Sequence, residues 1–572
     1  MPTPLDHEFV RSAARAADRV AAPLAARPDE DLTGLPHRAL ARAVKTLVAA
    51  YRSPDSALHG SRQAVAAAMT HLGALRATQT ATGLFAGGDN VQSPPDSAFT
   101  VNDVCDTHVL AAGAGPELRE VTAALAEIAG AATGSLLTGG VHTPNHRWEL
   151  SAALARLHRS FPDDRLLDRI EEWLAEGVDI DAEGLYSERS AIYAAHVSNP
   201  SFLLLADVLD RADLRDAVER NLTATLDLIR PDGTVETVHS RRQDQNHPFP
   251  LAPYLPHYRL LAIRTGRGDF SRAARLAAAG GIDDPDLLAQ TLLTPDLCRA
   301  LPAPTVESLP RDRCLTTARL AARASADAHT VVYGGSDVPE HRRIRSGLAC
   351  NPTFLRLFAG EAVLDAVRLS RGFFDLGPFR AADMQQLAEN RYLLTETLTA
   401  AYYQPLKPDQ RREDAVYRLV DEGRFSAAMA FPDRPRDEVS HTTRIEVDLR
   451  DDGADLRIDI SGPRVPWALE LTFRPGGVPE GAVPIGDGRW CLTTGPMTYR
   501  VGDDEIRVEA DVEAGEPLAG PDRSDVLRYD PGQDYTVVGG TDATTGNRVH
   551  LGGHGPQTLT VALRARRPAP VV

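Results

Sequence analysis

Residues 143–157 read TPNHRWELSAALARL, and this stretch indicates how the first half of the chain folds. Thr143 offers an oxygen for an N-cap, and Pro144 suits the first helical position, where its missing N–H costs nothing. The apolar residues that follow recur at three- and four-residue spacing, which is typical of an amphipathic helix. The stretch therefore predicts a capped helix with polar side chains in its first turn and a buried face over 148–160.

The same spacing recurs on both sides of this stretch, in segments rich in alanine, leucine and arginine, which are good helix formers. The predicted helices occupy residues 8–26, 36–51, 59–77, 116–137, 148–160, 165–177, 191–210, 214–230 and 256–279. This number of helices fits an array of helical hairpins, either an (α/α) toroid or an irregular bundle. Periodicity alone does not choose between them.

The pattern changes near residue 300. The stretch LPAPTVESLPRDR (301–313) is rich in proline and has no periodicity, so it indicates a linker. Beyond it, short segments such as TRIEVDLR (443–450) alternate between apolar and polar residues, as strands do. We therefore expect an α+β multidomain chain: a helical domain over 1–300, a linker over 301–325, and an antiparallel β-sandwich over 326–572.

Size and charge exclude some classes of function. The 572 residues allow large cores, and the net charge of -17 disfavours nucleic acid or an anionic membrane as the main partner. An acidic substrate stays open, because a local basic cleft can work on an acidic protein. No apolar signal segment and no long apolar run are seen, which predicts a cytoplasmic protein. The five cysteines are dispersed, which argues against a disulfide framework or a thiolate zinc site.

Three polar clusters are candidates for chemistry, and the first runs from His142 to Trp148. Asn145, His146 and Arg147 share one turn at a helix start, where backbone N–H groups favour bound anions. These side chains can polarise a carboxylate and move a proton. The structural alternative is a capped helix with surface polar residues and a packed tryptophan.

The second cluster lies in residues 184–199, where Arg189, Tyr193 and His196 fall near one face if a helix begins close to Ser187. A tyrosine beside arginine and histidine can serve as a base, because positive neighbours lower its pKa. The alternative is a pair of core tyrosines with an Arg–Glu pair on the surface. The third cluster, HSRRQDQNH (239–247), is either a solvated loop or a binding loop for a charged sugar.

The first two clusters together resemble a known group of enzymes. Asn145 and His146 followed by Trp148 at a helix start, with ERSAIY (188–193) about forty residues later, are similar to the toroid polysaccharide lyases. These are the heparinase II/III-like and alginate oligosaccharide lyase families, in which an (α/α) toroid precedes an antiparallel β-sandwich. The order of helices and strands in this chain matches that layout.

The resemblance implies roles for four catalytic residues. Asn145 would hold the carboxylate of a uronic acid, with His146 as a second donor or as the base for one epimer. Tyr193 would act as the acid and often also as the base, and Arg189 would support it. We further expect contacts with the substrate from Tyr186, Trp148, His196, His239, Arg241 and His341, the last by its position after the linker alone.

Other elements of the family stay open in this sequence. Its β-domain tyrosine would be Tyr392, Tyr402 or Tyr403. No organic cofactor is expected. A structural divalent metal in the β-domain would need a set of ligands that the sequence does not identify, and homo-oligomerisation is undecided.

The expected function is that of a carbon–oxygen lyase acting on an acidic oligosaccharide or polysaccharide. β-Elimination would remove the C5 proton of a uronic acid and leave a 4,5-unsaturated product. A cytoplasmic enzyme would meet imported oligosaccharides, which favours exolytic cleavage. The alternatives are a uronate C5-epimerase, a toroid glycoside hydrolase, for which no carboxylate pair stands out, and a carbohydrate-binding protein without catalysis.

Overall fold

The computed structural model describes residues 4–27, 31–88, 90–341, 347–374, 376–486, 488–518 and 545–567. Contacts between residues divide the chain into two compact units. The first unit comprises 1–229 and 250–307, and the second comprises 230–249 and 308–572. The first is built from helices and the second from sheets, so the predicted order of helices before strands is confirmed.

The helices of the first unit are mostly two to five turns long. They are α1 (His7–Ala25), α2 (His37–Arg52), α3 (Arg62–Thr78), α4 (Pro94–Ala111), α5 (Arg119–Thr138), α6 (Pro144–Ser160), α7 (Asp164–Leu174), α8 (Ala191–Tyr193), α9 (Asn199–Leu209), α10 (Ala212–Leu226), α11 (Leu255–Thr265), α12 (Gly268–Ala277) and α13 (Asp286–Leu293).

Most predicted helices are present, but the short helix α13 was not predicted, and three further differences are found. Helix α4 was not predicted, because it buries polar residues such as Asp96, Asn102 and Asp106 and so lacks a clean apolar stripe. The predicted helix 256–279 is two helices, separated at Gly266, which adopts a positive φ of 74°. The predicted helix 191–210 contains a π-helical turn at Ala194–Ser198.

The strands are short in the segment 230–250 and longer after residue 307. They are β1 (Thr234–Val235), β2 (Phe249–Pro250), β3 (Arg311–Leu315), β4 (Leu320–Ala324), β5 (His329–Tyr333), β6 (Leu355–Ala359), β7 (Ala362–Arg371), β8 (Asp383–Ala388), β9 (Arg391–Tyr403), β10 (Val420–Asp421), β11 (Ser426–Ala427), β12 (Arg436–Arg450), β13 (Gly453–Ser461), β14 (Pro466–Phe473), β15 (Pro479–Glu480), β16 (Val483–Gly486), β17 (Arg489–Cys491), β18 (Met497–Val501), β19 (Asp504–Ala514), β20 (Asn547–His554) and β21 (Gln557–Arg566). A one-turn helix, α14 (Val338–His341), lies between β5 and β6.

Two large sheets form the second unit. One has the strand order β15-β18-β19-β21-β13-β12-β9-β8, and the other β16-β17-β20-β14-β7-β6-β5-β4-β3. Neighbouring strands run antiparallel except β17 and β20, which are parallel, so the expectation of purely antiparallel pairing is wrong at this one pair. The residues 301–325 expected to form a linker contain β3 and β4. Both strands are only five residues long, and neither alternates regularly between buried and exposed residues, so the sequence pattern did not predict them.

The hydrophobic core of the second unit lies between these sheets. Alternate residues of strands from both sheets enter one apolar cluster, for example Leu469 and Leu471 of β14 and Leu456 and Ile458 of β13. This two-residue periodicity is that of strands with one face buried. Two sheets that share a core in this way form a β-sandwich.

Residues 230–249 follow α10 in sequence but group with the sheets. Glu236 is buried and pairs with Arg356 of β6 at 2.9 Å. The side-chain amide of Asn351 donates to the carbonyl of Gln245 at 2.6 Å. The third polar cluster of the sequence therefore belongs to the second unit, although it was expected in the helical domain over 1–300.

Two helical stretches, Pro116–Thr138 and Ala191–Leu209, are long and apolar enough to cross a membrane when only length and composition are considered. The second is 56% buried inside the fold. Core helices of globular proteins pass the same test, so these stretches are weak evidence for a membrane span.

Candidate active site in the helical unit

The first turn of α6 contacts the segment that precedes Tyr193. The side-chain nitrogen Nδ2 of Asn145 donates to Oε2 of Glu188 at 2.7 Å, and Nδ2 also lies 3.3 Å from the hydroxyl of Thr143. Asn145 and Glu188 are 1% and 8% exposed, so this hydrogen bond is shielded from water. The two sequence motifs that carry the resemblance are therefore joined by a direct contact.

Asp179 provides a second link between the same two segments. Its carboxylate accepts from Nε1 of Trp148 at 2.8 Å and from the hydroxyl of Ser187, and it lies 3.3 Å from Nη2 of Arg147. Trp148 is completely buried and packs against Phe202, with ring centroids 4.7 Å apart. Trp148 was expected to contact the substrate, and its enclosure corrects this expectation: the indole fixes α6 to the Asp179 segment.

Tyr193 ends the short helix α8, directly before the π-helical turn. The hydroxyl of Ser190 caps this helix by accepting from the backbone N–H of Tyr193 at 3.3 Å. Arg189, just before the cap, has a positive φ of 51°, which is uncommon for a residue with a Cβ atom. Such strained positions cluster at functional sites. Tyr193 itself is half-buried, so part of the residue is accessible to solvent.

Tyr186, also expected to contact the substrate, is buried in the helical unit. Its hydroxyl donates to Oδ1 of Asn199 at 2.9 Å, and Asn199 in turn donates to Asn221 at 3.0 Å. Burial raises the pKa of Tyr186 well above its ordinary value, so its hydroxyl stays protonated. This correction has the same cause as that for Trp148, since both polar atoms are used inside the fold.

The histidines of the first two clusters differ in exposure. His146 is buried, and its ring lies edge-on to that of the exposed His142, with centroids 4.7 Å apart. His196 is exposed on the π-helical turn. Burial, followed by the charge of His196, lowers the pKa of His257 on α11 to about 3, so His257 is neutral near pH 7. His257 was not among the site residues predicted from the sequence.

The remaining predicted residues lie in the second unit. His239 is buried, and Nε and Nη2 of Arg241 donate to the carboxylate of Asp337 at 2.9 and 3.0 Å. The hydrogen bonds to Asp337 raise the pKa of Arg241. His341 is exposed at the end of α14. The roles expected of these three residues stay predictions. Among the three possible β-domain tyrosines, Tyr402 is exposed, Tyr403 is half-buried and Tyr392 is buried.

Glu149 is a further residue near the site, and it was not predicted from the sequence. It lies one helical turn after Asn145 on α6, is 5% exposed, and accepts from Nδ2 of Asn102 at 2.6 Å. Burial raises its pKa to about 7, with the hydrogen bond from Asn102 and the charge of Arg156 opposing the shift. Perturbed carboxyl groups are common at active sites. Because α4 was not predicted, the contact with Asn102 was not visible in the sequence.

The raised pKa of Glu149 predicts a dependence of stability on pH. Its pKa in the folded chain, about 7, lies above the ordinary value of 4.5, so the folded state holds this proton more tightly. The free energy of unfolding is therefore expected to fall by about 3 kcal/mol as pH rises between these two values. E149Q replaces the carboxyl group with a neutral amide of similar shape, so the variant should not lose this stability as pH rises. Urea unfolding at about pH 5 and about pH 8 measures it.

The control for this prediction is E120Q, which removes an exposed carboxylate from α5. It should unfold with the pH dependence of the wild type. An E149Q variant that loses as much stability as the wild type between the two pH values would contradict the prediction.

Among the described residues, no group of three or more His, Cys, Asp or Glu side chains is placed to hold a metal ion. The structural metal considered from the resemblance therefore has no ligand set in the described part of the β unit.

No known family model and no curated protein matches this sequence. Solved structures do match in fold. Heparinase III aligns with a TM-score of 0.54 and 10% sequence identity, over 93% of this chain and 77% of that chain. The chondroitin AC lyase of Streptomyces coelicolor A3, solved with chondroitin sulphate, aligns with a TM-score of 0.54 and 14% identity, over 98% and 80% of the two chains.

A xanthan lyase from Paenibacillus aligns with a TM-score of 0.52 and 10% identity, over 97% of this chain and 56% of that chain. At these identities the similarity establishes the fold. The resemblance drawn from the sequence is confirmed at that level: this chain shares the fold of heparinase III, chondroitin AC lyase and xanthan lyase, which are polysaccharide lyases.

Proposed function

We propose that this protein is a polysaccharide lyase that cleaves a uronic acid-containing glycan by β-elimination, with its helices arranged as an (α/α) toroid. The observation that carries the proposal is the contact between Asn145 and Glu188, which joins the two motifs of the helical unit next to Tyr193. The fold shared with heparinase III, chondroitin AC lyase and xanthan lyase supports the same class of reaction.

The proposed chemistry assigns one task to each residue. The C5 proton of a uronate is only weakly acidic because the neighbouring carboxylate is already anionic. Asn145 donates to that carboxylate and stabilises the enolate-like transition state, an electrostatic effect that is often the largest in catalysis. Tyr193 transfers protons as the acid and the base, supported by Arg189, and His146 is a second donor to the carboxylate or the base for one epimer. No step needs an organic cofactor.

In this proposal Glu188 positions Asn145 and does not contact the substrate. A carboxylate at 2.7 Å accepts hydrogen bonds only, so it requires the nitrogen of the Asn145 amide to face it. One N–H of Asn145 then binds Glu188. The other donates to the hydroxyl of Thr143 at 3.3 Å, a longer bond that the substrate carboxylate would replace when it binds. The orientation of the amide is thereby fixed before the substrate binds.

E188Q tests this positioning role. A glutamine can either donate or accept, so the Asn145 amide would no longer be held in one orientation. We expect kcat to fall by about 10- to 100-fold, the range associated with misplaced catalytic groups, with a smaller change in KM. The matched control is E183Q, which changes a half-buried glutamate in the same segment. Equal losses in the two variants, or an unchanged kcat in E188Q, would contradict the proposed role.

The reaction class is tested with a panel of uronic acid glycans: hyaluronan, chondroitin, heparan, alginate, glucuronan and rhamnose–glucuronate polymers. Ultraviolet absorbance reports the 4,5-unsaturated product of a lyase. Solvent deuterium at C5 without absorbance would identify a C5-epimerase instead, and new reducing ends without absorbance would identify a hydrolase. We expect short chains to be cleaved from their ends, which size analysis of the products at low conversion would reveal.

A further inference from the structure

A group of polar residues interrupts the apolar core at one end of the β-sandwich. Its members are Arg371, Arg380, Glu396, His441 and Thr443, and none is more than 6% exposed. Fully buried charges are rare in proteins unless they are paired, because leaving water is costly. We therefore ask whether every charge and every hydrogen-bonding atom of this group has a partner.

The group links the two sheets. Arg371 is the last residue of β7 in the nine-stranded sheet, whereas Glu396 of β9 and Thr443 of β12 are cross-strand partners in the eight-stranded sheet. A nitrogen of Arg371 lies 2.6 Å from the carboxylate of Glu396, and Nη1 donates to the hydroxyl of Thr443 at 3.2 Å. Arg371 therefore connects the two sheets across the core.

Positive charge exceeds negative charge in this group. Nε of Arg380 donates to the carbonyl of Cys350 at 2.7 Å, and the charge of Arg380 also acts on Glu396. Burial, followed by the charge of Arg371, lowers the pKa of His441 to about 4, so this ring is neutral near pH 7. Two guanidinium groups face one carboxylate, which leaves a net charge of +1.

Several buried N–H groups of the cluster also have no acceptor among the described residues. They are Nε and Nη2 of Arg371 and Nη2 of Arg380, and neither ring nitrogen of His441 has a partner in the described chain. Nearly all buried polar atoms in native proteins are hydrogen-bonded, and exceptions point to a water or an ion. The three guanidinium nitrogens can only donate, whereas the neutral His441 ring has one N–H and one acceptor nitrogen. The missing partner of the arginines must therefore accept hydrogen bonds.

We propose that Arg371, Arg380 and His441 form a buried binding site for a small inorganic anion of the halide class, such as chloride. An anion supplies the acceptor that the N–H groups lack and also the negative charge that offsets the second guanidinium. Water supplies the acceptor but no charge. Because the donor atoms are enclosed, a monatomic ion suits the site better than a carboxylate or an oligosaccharide.

Thermal unfolding of the full chain tests the proposal. Sodium bromide or chloride replaces sodium gluconate at constant ionic strength, since gluconate is too large for an enclosed site. The buffer is mildly alkaline, because burial raises the pKa of Glu396 and this group should be ionised. We expect Tm to rise by about 2–5 °C and to saturate, as it does for a ligand that binds only the folded state. A Tm that does not distinguish halide from gluconate would overturn the proposal.

Two variants should shift the apparent affinity for halide in opposite directions. R380M removes a positive charge and should weaken binding at least tenfold, whereas E396Q removes the negative charge and should tighten it. R391M is the control, since it removes an exposed arginine of β9 that pairs with Glu446. It should respond to halide as the wild type does. Shifts in the same direction for R380M and E396Q would indicate a purely structural effect.

Crystals of the wild type soaked in bromide give a direct readout that does not depend on a variant folding. An anomalous peak within hydrogen-bond distance of Arg371 and Arg380 is expected. Ordered density at this position without anomalous signal would identify a water molecule and would refute the proposed anion.

Discussion

Replacing Tyr193 with phenylalanine is expected to lower the rate of uronate elimination by about 100- to 10,000-fold, the range in which a positioned acid or base contributes to catalysis. The change removes only the hydroxyl that would exchange protons with C5 and with the leaving oxygen. The ring, its half-buried position and the cap by Ser190 are retained, because that cap is made to the backbone of Tyr193. Initial rates measured by ultraviolet absorbance give kcat directly.

Binding should survive this change. We expect the affinity of Y193F for an uncleaved oligosaccharide, measured by calorimetry, to stay within a few fold of the wild type. The control is Y51F on α2, which removes the hydroxyl of a tyrosine outside the proposed site. Turnover by Y193F at the rate of the wild type would exclude the mechanism proposed above, whatever the substrate.

The sequence predicts the fold class well because its strongest signals are local. A helix such as α6 has a threonine at the N-cap position, a proline at its first helical position and a repeated apolar face, all within about five turns. The side chain of Thr143 makes no capping hydrogen bond, so the predicted cap is wrong in this detail. Strands such as β13 alternate regularly between buried and exposed residues. Helix α4 escapes prediction because buried Asp96 and Asn102 replace apolar residues on its inner face. The partners of such polar groups come from distant parts of the chain.

The candidate site likewise depends on contacts between residues that are far apart in the sequence. Asn145 and Tyr193 can be named from short motifs, but the role of Glu188 depends on a contact with a residue 43 positions away. In the sequence, Glu188 beside Arg189 indicates a surface ion pair, whereas the fold buries it. Trp148, by contrast, was expected to contact the substrate and is a core residue. The sequence does not separate these roles, since aromatic residues serve equally well as sugar platforms and as core residues. The burial of the side chain distinguishes the two roles, and burial depends on the tertiary structure.

Replacing Asn145 with alanine is expected to lower kcat by about 100- to 1,000-fold, the cost of removing one donor from a developing oxyanion. It also leaves the Glu188 carboxylate without the N–H at 2.7 Å, which should destabilise the helical unit by about 1–3 kcal/mol. A loss of activity in N145A therefore has two sources, one chemical and one structural. Measuring kcat well below the unfolding temperature of the variant reduces the second but does not remove it.

A reversed pair separates these two sources. In N145D the new carboxylate faces that of Glu188, and the repulsion should lower both stability and activity. Adding E188Q restores a hydrogen bond at this position with donor and acceptor exchanged, so most of the lost stability should return in a urea titration. Activity should not return, because the aspartate introduced at position 145 repels the carboxylate of the uronate where an amide N–H is required. If the double variant regains activity together with stability, Asn145 holds the fold of the site and does not act on the substrate.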